Sequence, residues 1–229
     1  MKRDYLQQIL AAQVQKRPIA VATRLADGAQ SICDGATCAG EVELSADQLA
    51  EAHKLLVAGR SAALATSKGE IFLRSYTPPA KMVVIGAVHI AQYLVPMAAL
   101  AGFEVIVIDP RQAFATAARF PGVTLITEWP GPALKKVGLD DRTAVVTLTH
   151  DPKLDDPALV AALQSPVFYI GALGSTRTHA KRIERLREHG LAELAPRIHA
   201  PVGLDLGGRA AAEIAVSVLA QVIQERYRR

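Results

Sequence analysis

Gly86-Ala87-Val88-His89-Ile90-Ala91 and Gly171-Ala172-Leu173-Gly174-Ser175-Thr176-Arg177 are the two stretches of this sequence best suited to meet an anion. Each follows an apolar run and leads into helix-forming sequence, and backbone N–H groups at such a strand-to-helix turn converge on negative charge. The first stretch is a G-x-G-x-x-G dinucleotide fingerprint lacking two glycines. Gly86 holds the tight-turn place, Val88 the place where a pyrophosphate approaches the backbone, and Ala91 the packing place. A β-branched Val88 argues against ordinary nicotinamide dinucleotide binding. In the second stretch Ser175, Thr176, Arg177, Thr178 and His179 can add side-chain donors; the alternative is a turn that needs its glycines for geometry alone.

Asp109, at the end of the apolar run that follows the first junction, is placed either to accept from a ribose hydroxyl pair or to make an Asp-Pro turn with Pro110. Arg111 offers a planar fork to a phosphate or a carboxylate. Thr149-His150-Asp151 ends another apolar run. His150 and Asp151 are a candidate acid–base pair, and His89 and His150 are candidate metal ligands at a shared cleft. For His89 a hydrogen bond at a helix start is the simpler role. The sequence has no HExxH, no nucleophile elbow and no Walker A lysine. Its two cysteines, Cys33 and Cys38, are too few for a tetrahedral zinc site. A reducing compartment argues against a disulfide, so free thiols are expected, either incidental or touching a metal centre or sulfur donor.

The elements that must position these residues fall into two groups. Before residue 76 the pattern predicts an amphipathic helix over residues 4–16 stopped by Pro18, and a hairpin of Ile19 to Thr23 with Ser31-Ile32 around Asp27-Gly28. A helix from Ser45 to Leu56 ends at Gly59, and a strand at Ile71 to Leu73 follows the turn Lys68-Gly69. Thr77-Pro78-Pro79 is a stiff connector. From residue 80 apolar runs alternate with amphipathic stretches, as βαβ units do. Strands are expected at Lys81 to Ile85, Phe103 to Ile108, Val123 to Ile126, Ala144 to Leu148 and Val167 to Ile170. Helices are expected over 90–101, 178–189 and 210–227, with Pro96 inside the first and distorting it, and Asp155-Asp156-Pro157 caps a further one. The fold class is therefore α/β, with a C-terminal Rossmann-like parallel sheet over residues 80–229 and a smaller N-terminal α+β domain over 1–76.

Of the 229 residues, half are apolar, enough to bury a substantial core. The net charge of +4 is spread along the chain, with basic clusters only at Lys181 to Arg187 and in the tail Arg226-Tyr227-Arg228-Arg229. Nucleic acid is not the expected partner, because such proteins concentrate charge on one face. The absence of any run of about 18 apolar residues excludes a membrane span and points to a cytoplasmic protein.

In order along the chain, Gly86 to Ala91, Asp109-Pro110-Arg111, Arg119-Phe120-Pro121, Leu148 to Asp151, Tyr169 to Ser175, Pro201 to Gly207 and Glu213-Ile214-Ala215 resemble the xanthine dehydrogenase accessory family, also called the XdhC and CoxI family. The resemblance implies a Rossmann-type domain that binds the molybdenum cofactor, as molybdopterin or its nucleotide form. It also implies protection of that cofactor, support for its sulfuration with a cysteine desulfurase, and insertion into an apo molybdenum hydroxylase of the xanthine or carbon monoxide dehydrogenase type, with the chaperone a homodimer. The cofactor-binding residues so implied are Gly86, Ala87, Val88, His89, Ile90, Asp109, Arg111, Thr149, His150, Asp151, Gly171, Leu173, Gly174, Ser175, Arg177, Gly203 and Asp205. Where relatives carry Gly-Gly-Cys-x-Glu this chain has Ala36-Thr37-Cys38-Ala39-Gly40-Glu41, which makes Cys38 a candidate contact to molybdenum or sulfur. The runner-up is an NAD(P)-dependent oxidoreductase, which Gly86 and Asp109 would serve.

Overall fold

The computed structural model describes residues 2–67 and 69–228. Met1, Lys68 of the expected turn and Arg229 of the basic tail fall outside them. The chain packs as two compact units, residues 1–78 and 79–229.

The first unit is a five-stranded antiparallel sheet with a helix on each face. Its elements are α1 (Arg3–Val14), β1 (Ile19–Arg24), β2 (Gln30–Cys33), β3 (Cys38–Gly40), α2 (Ala46–Ala58), β4 (Ala62–Thr66) and β5 (Gly69–Tyr76), with strand order β3-β2-β1-β5-β4. Period-2 alternation divides β1: Ile19 and Val21 pack with Tyr5, Ile9 and Ala12 of α1, whereas Ala20 and Ala22 pack with Ala52, Leu55 and Leu56 of α2. The Asp27-Gly28 hairpin forms as expected. The α2 boundaries follow local chemistry, a Ser45–Gln48 capping box at one end and a left-handed Gly59 at the other.

The second unit is a six-stranded parallel sheet with helices on both faces. It comprises β6 (Lys81–Ile85), α3 (His89–Leu100), β7 (Glu104–Ile108), β8 (Thr124–Ile126), α4 (Pro130–Val137), β9 (Thr143–Thr147), α5 (Pro152–Leu163), β10 (Tyr169–Ala172), α6 (Thr176–Glu188), a 3-10 segment Ala192–Arg197, β11 (Ile198–His199) and α7 (Ala211–Tyr227). The strand order β8-β7-β6-β9-β10-β11 is the 3-2-1-4-5-6 order of a dinucleotide-binding fold, and the order reverses between β6 and β9. Both faces of the central strands are covered. Met82 and Val84 join the core under α3 and α7, and Val83 and Ile85 join the core under α4, α5 and α6. Continuous apolar strands are the direct consequence, each such buried side chain contributing about 1.5–3 kcal/mol relative to exposure.

Three expectations are corrected. The cysteines are not free thiols: antiparallel pairing sets Cys33 opposite Cys38 across β2 and β3, with Cα atoms 4.1 Å apart, and the two form a disulfide. The cap of α5 is Asp151, whose carboxylate accepts the Lys153 N–H at 3.0 Å, with Pro152 opening the helix; Pro157 of the expected Asp155-Asp156-Pro157 cap lies inside it. Finally, α4, β3, β4 and β11 were not expected, while α3 runs unbroken through Pro96.

Candidate functional site

The carboxyl ends of β6, β7, β9 and β10 carry most of the residues singled out in the sequence. Gly86 follows β6 with a left-handed backbone, φ 107°, and a Cβ there would lie 2.5 Å from Thr149 Cγ2 of the loop after β9. Its glycine is thus required twice, by conformation and by close packing across the strand-order reversal. The Ala87 N–H donates to Asp109 Oδ2 at 2.8 Å, which ties the first junction to the end of β7.

Asp109 is fully buried and heavily engaged. Besides Ala87, its carboxylate accepts the Arg111 N–H at 3.0 Å and a two-pronged contact from the Arg111 guanidinium, Nε at 2.9 Å and Nη2 at 2.7 Å. Burial alone would push the carboxyl up, but the guanidinium and the two backbone donors outweigh it and hold Asp109 below the usual carboxylate range. Of the two roles open to Asp109, the geometry displays the internal one, in which it organises a turn. The guanidinium of Arg111 lies over the Phe114 ring, 4.6 Å from its centroid, and so braces the β7–β8 connection.

After β9 the loop is held by one buried acid. The Thr149 hydroxyl donates to Asp155 Oδ1 at 2.6 Å and the His150 N–H to Oδ2 at 3.1 Å, while the Asp151 N–H donates back to Thr149 Oγ1 at 3.1 Å. His150 is thereby fixed at φ 61°, a conformation uncommon for a residue with a side chain and often found at functional positions. Burial pushes the Asp155 carboxyl up, against the hydrogen bond from Thr149 and the nearby charge of Arg182. Sequence reasoning gave Asp155 a capping role and missed this one.

The second junction is also dual in purpose. A Cβ on Gly171 would crowd Val202 and the Tyr169 ring, so that glycine serves packing. Gly174 sits at φ 141° and faces Thr178, and Ser175 caps α6 by accepting the Thr178 N–H at 3.2 Å. Leu173 N–H donates to Thr147 O at 2.9 Å, and its carbonyl accepts from Arg182 Nη2 at 3.0 Å. By contrast α3 starts at Val88 with no side-chain cap, which leaves its first-turn donors to solvent or ligand.

Two cavities open here. One, of about 230 Å³, is lined by His150, Asp155, Arg177, Lys181 and Arg182 among others. The second, of about 530 Å³, brings Leu173 together with Gly203 and Asp205. Its loop is fixed by the Gln221 amide oxygen, which accepts from the Gly203 N–H at 2.8 Å and the Tyr169 hydroxyl at 2.5 Å. Glu213, a residue of the family motif, takes the N–H groups of Arg209 and Ala210 and closes the same loop onto α7. His89 faces its own helix, with Nδ1 3.2 Å from Gln92 Oε1 and its ring edge-on to Tyr93. Ile90 is half-buried beside it. Among the described residues no group of three or more His, Cys, Asp or Glu side chains could hold a metal ion, and Cys38 is committed to its disulfide. No helix among them is long and apolar enough to cross a membrane.

Residues 82–222 match the family model described as the XdhC Rossmann domain. The chain is 44% identical over 96 residues to the molybdenum cofactor insertion chaperone PaoD of Escherichia coli K12, covering 42% of this chain and 30% of that protein. It is 35% identical over 161 residues to a probable xanthine dehydrogenase subunit of Bacillus subtilis 168, covering 69% of this chain and 46% of that protein. The chain thus spans less than half the length of either relative. A crystal structure of a xanthine dehydrogenase from Bacillus halodurans superposes on 99% of this chain and 65% of its own, with a TM-score of 0.76 at 22% identity, a likeness of fold. With its Rossmann strand order and a family match across nearly all of the second unit, the chain belongs to the XdhC family.

Proposed function

We propose that this chain is an accessory protein that binds the molybdenum cofactor, protects it, supports its maturation and inserts it into an apo molybdenum hydroxylase of the xanthine or carbon monoxide dehydrogenase type. The observation that carries this reading is the match of residues 82–222 to the XdhC Rossmann domain, reinforced by the 44% identity to a protein named as a molybdenum cofactor insertion chaperone. The chemistry of the carboxyl edge is compatible with such cargo. Molybdopterin carries a phosphate, and the edge offers Arg177, Lys181 and Arg182 around a cavity together with the uncapped start of α3.

On the same reading the chain works in the cytoplasm as a homodimer with a cysteine desulfurase as second partner; light scattering that returns the mass of a single chain would remove the dimer. A nicotinamide cofactor would look for its ribose acceptor at Asp109, whose carboxylate already serves Ala87 and Arg111. Transfer decides between the readings. Cofactor-loaded chain, incubated anaerobically with apo-hydroxylase, should restore hydroxylase activity, and calorimetric titration with NAD(H) or NADP(H) should show no heat of binding. Nucleotide binding without transfer would replace the chaperone reading with the oxidoreductase one.

A further inference from the structure

Within the basic cluster Lys181 to Arg187, one side chain behaves unlike the rest. Arg182 is only 1% exposed. Its Nη2 donates to the Leu173 carbonyl at 3.0 Å, but Nε and Nη1 are buried with no hydrogen-bond partner among the described residues. A buried guanidinium with idle donors is costly unless something supplies acceptors. The neighbouring acid does not: both Asp155 oxygens accept from the loop after β9, one from the Thr149 hydroxyl and one from the His150 N–H. Asp156 is likewise taken, paired with Arg185. Arg182 lines the cavity of about 230 Å³, and Arg177 and Lys181, exposed at consecutive turns of α6, add two further cations to its wall.

Setting aside Arg185, which Asp156 neutralises, three cations line the cavity against one acid whose two oxygens are already engaged by the loop after β9, which favours an acceptor carrying more than one negative charge and several oxygens. A phosphate monoester fits both conditions, and its planar-forked contact with arginine is the strong one. We propose that this cavity is an oxyanion site in which Arg182, assisted by Arg177 and Lys181, takes the phosphate group of a phosphomonoester. The proposal rests on the cofactor reading only for the identity of that monoester; the site itself stands on Arg182.

The test titrates inorganic phosphate and 5′-AMP into the full chain by calorimetry at constant ionic strength, with chloride as control. Saturable binding of both, with the monoester at least as tight as inorganic phosphate, is the expected result. Arg182→Met should abolish it. Because Arg182 also anchors Leu173, the exposed double variant Arg177→Ala/Lys181→Ala supplies a second arm, expected to keep the wild-type circular dichroism and to lose at least about tenfold in affinity. No discrimination of phosphate from chloride, inorganic phosphate binding more tightly than the monoester, or wild-type affinity in the folded double variant would each overturn the proposal. Phosphate binding that survives in a chain unable to bind molybdenum cofactor sinks the cofactor reading alone, and the reverse result sinks the oxyanion site alone.

Discussion

The Asp109 carboxylate is buried yet charged because Arg111 and two backbone N–H groups surround it. Replacing it with Asn would leave the guanidinium without its counter-charge, at a cost of about 1–3 kcal/mol. The pH dependence has a definite sign. A folded-state pKa held below the unfolded value of about 3.9 gives stability that is complete above that value and lost as pH falls through the folded one. The gap in urea midpoint between wild type and Asp109→Asn should therefore be widest near neutrality and shrink below about pH 4. A gap constant with pH would show that the lost packing, not the charge, matters. The sequence announces Asp109 and Arg111 as polar residues at a strand's end, but only the three-dimensional return of Ala87 reveals that they serve each other. Arg182 was legible as part of a basic cluster; its burial was not, because neighbours on a helix can point to opposite sides.

Among the elements, the junction after β6 owes its shape to two residues distant in sequence. Gly86→Ala combines an unfavourable φ with a Cβ driven into Thr149 Cγ2, so a loss of about 1–3 kcal/mol is expected. Thr149→Ser removes that methyl and keeps the hydroxyl that holds Asp155. In a double-mutant cycle the Ser background should recover part of the Gly86→Ala loss, leaving the backbone share; strict additivity would mean that the close approach plays no part. Elements with continuous apolar runs, β6, β7 and β9, declare themselves because both their faces are buried. Others do not. The strand β4 is alanine-rich and nowhere fully buried, β11 has two residues, and α4 opens on Pro130-Gly131-Pro132, which reads as a loop until Pro130 is seen to occupy the first helical turn. The disulfide ran against the redox argument for free thiols; what brings Cys33 opposite Cys38 is the pairing of β2 with β3, a strand the sequence pattern does not announce.

For the whole molecule, a parallel sheet whose order reverses between β6 and β9 places every strongly indicated residue of the second unit at one edge, which is where such sheets receive ligands. The parallel sheet followed from the regular alternation after residue 80, and the family from its ordered motifs; the strand order is a finding of the structure. What the alternation could not convey is division of labour: Gly86, Gly171 and Asp109 build the edge, while His150, Arg177 and Arg182 border open space. The chaperone role requires, before anything else, cofactor binding. Anaerobic titration of purified chain with molybdenum cofactor, followed by molybdenum and pterin analysis of the isolated complex, should give stoichiometric binding of both. A folded chain that retains neither would contradict that role.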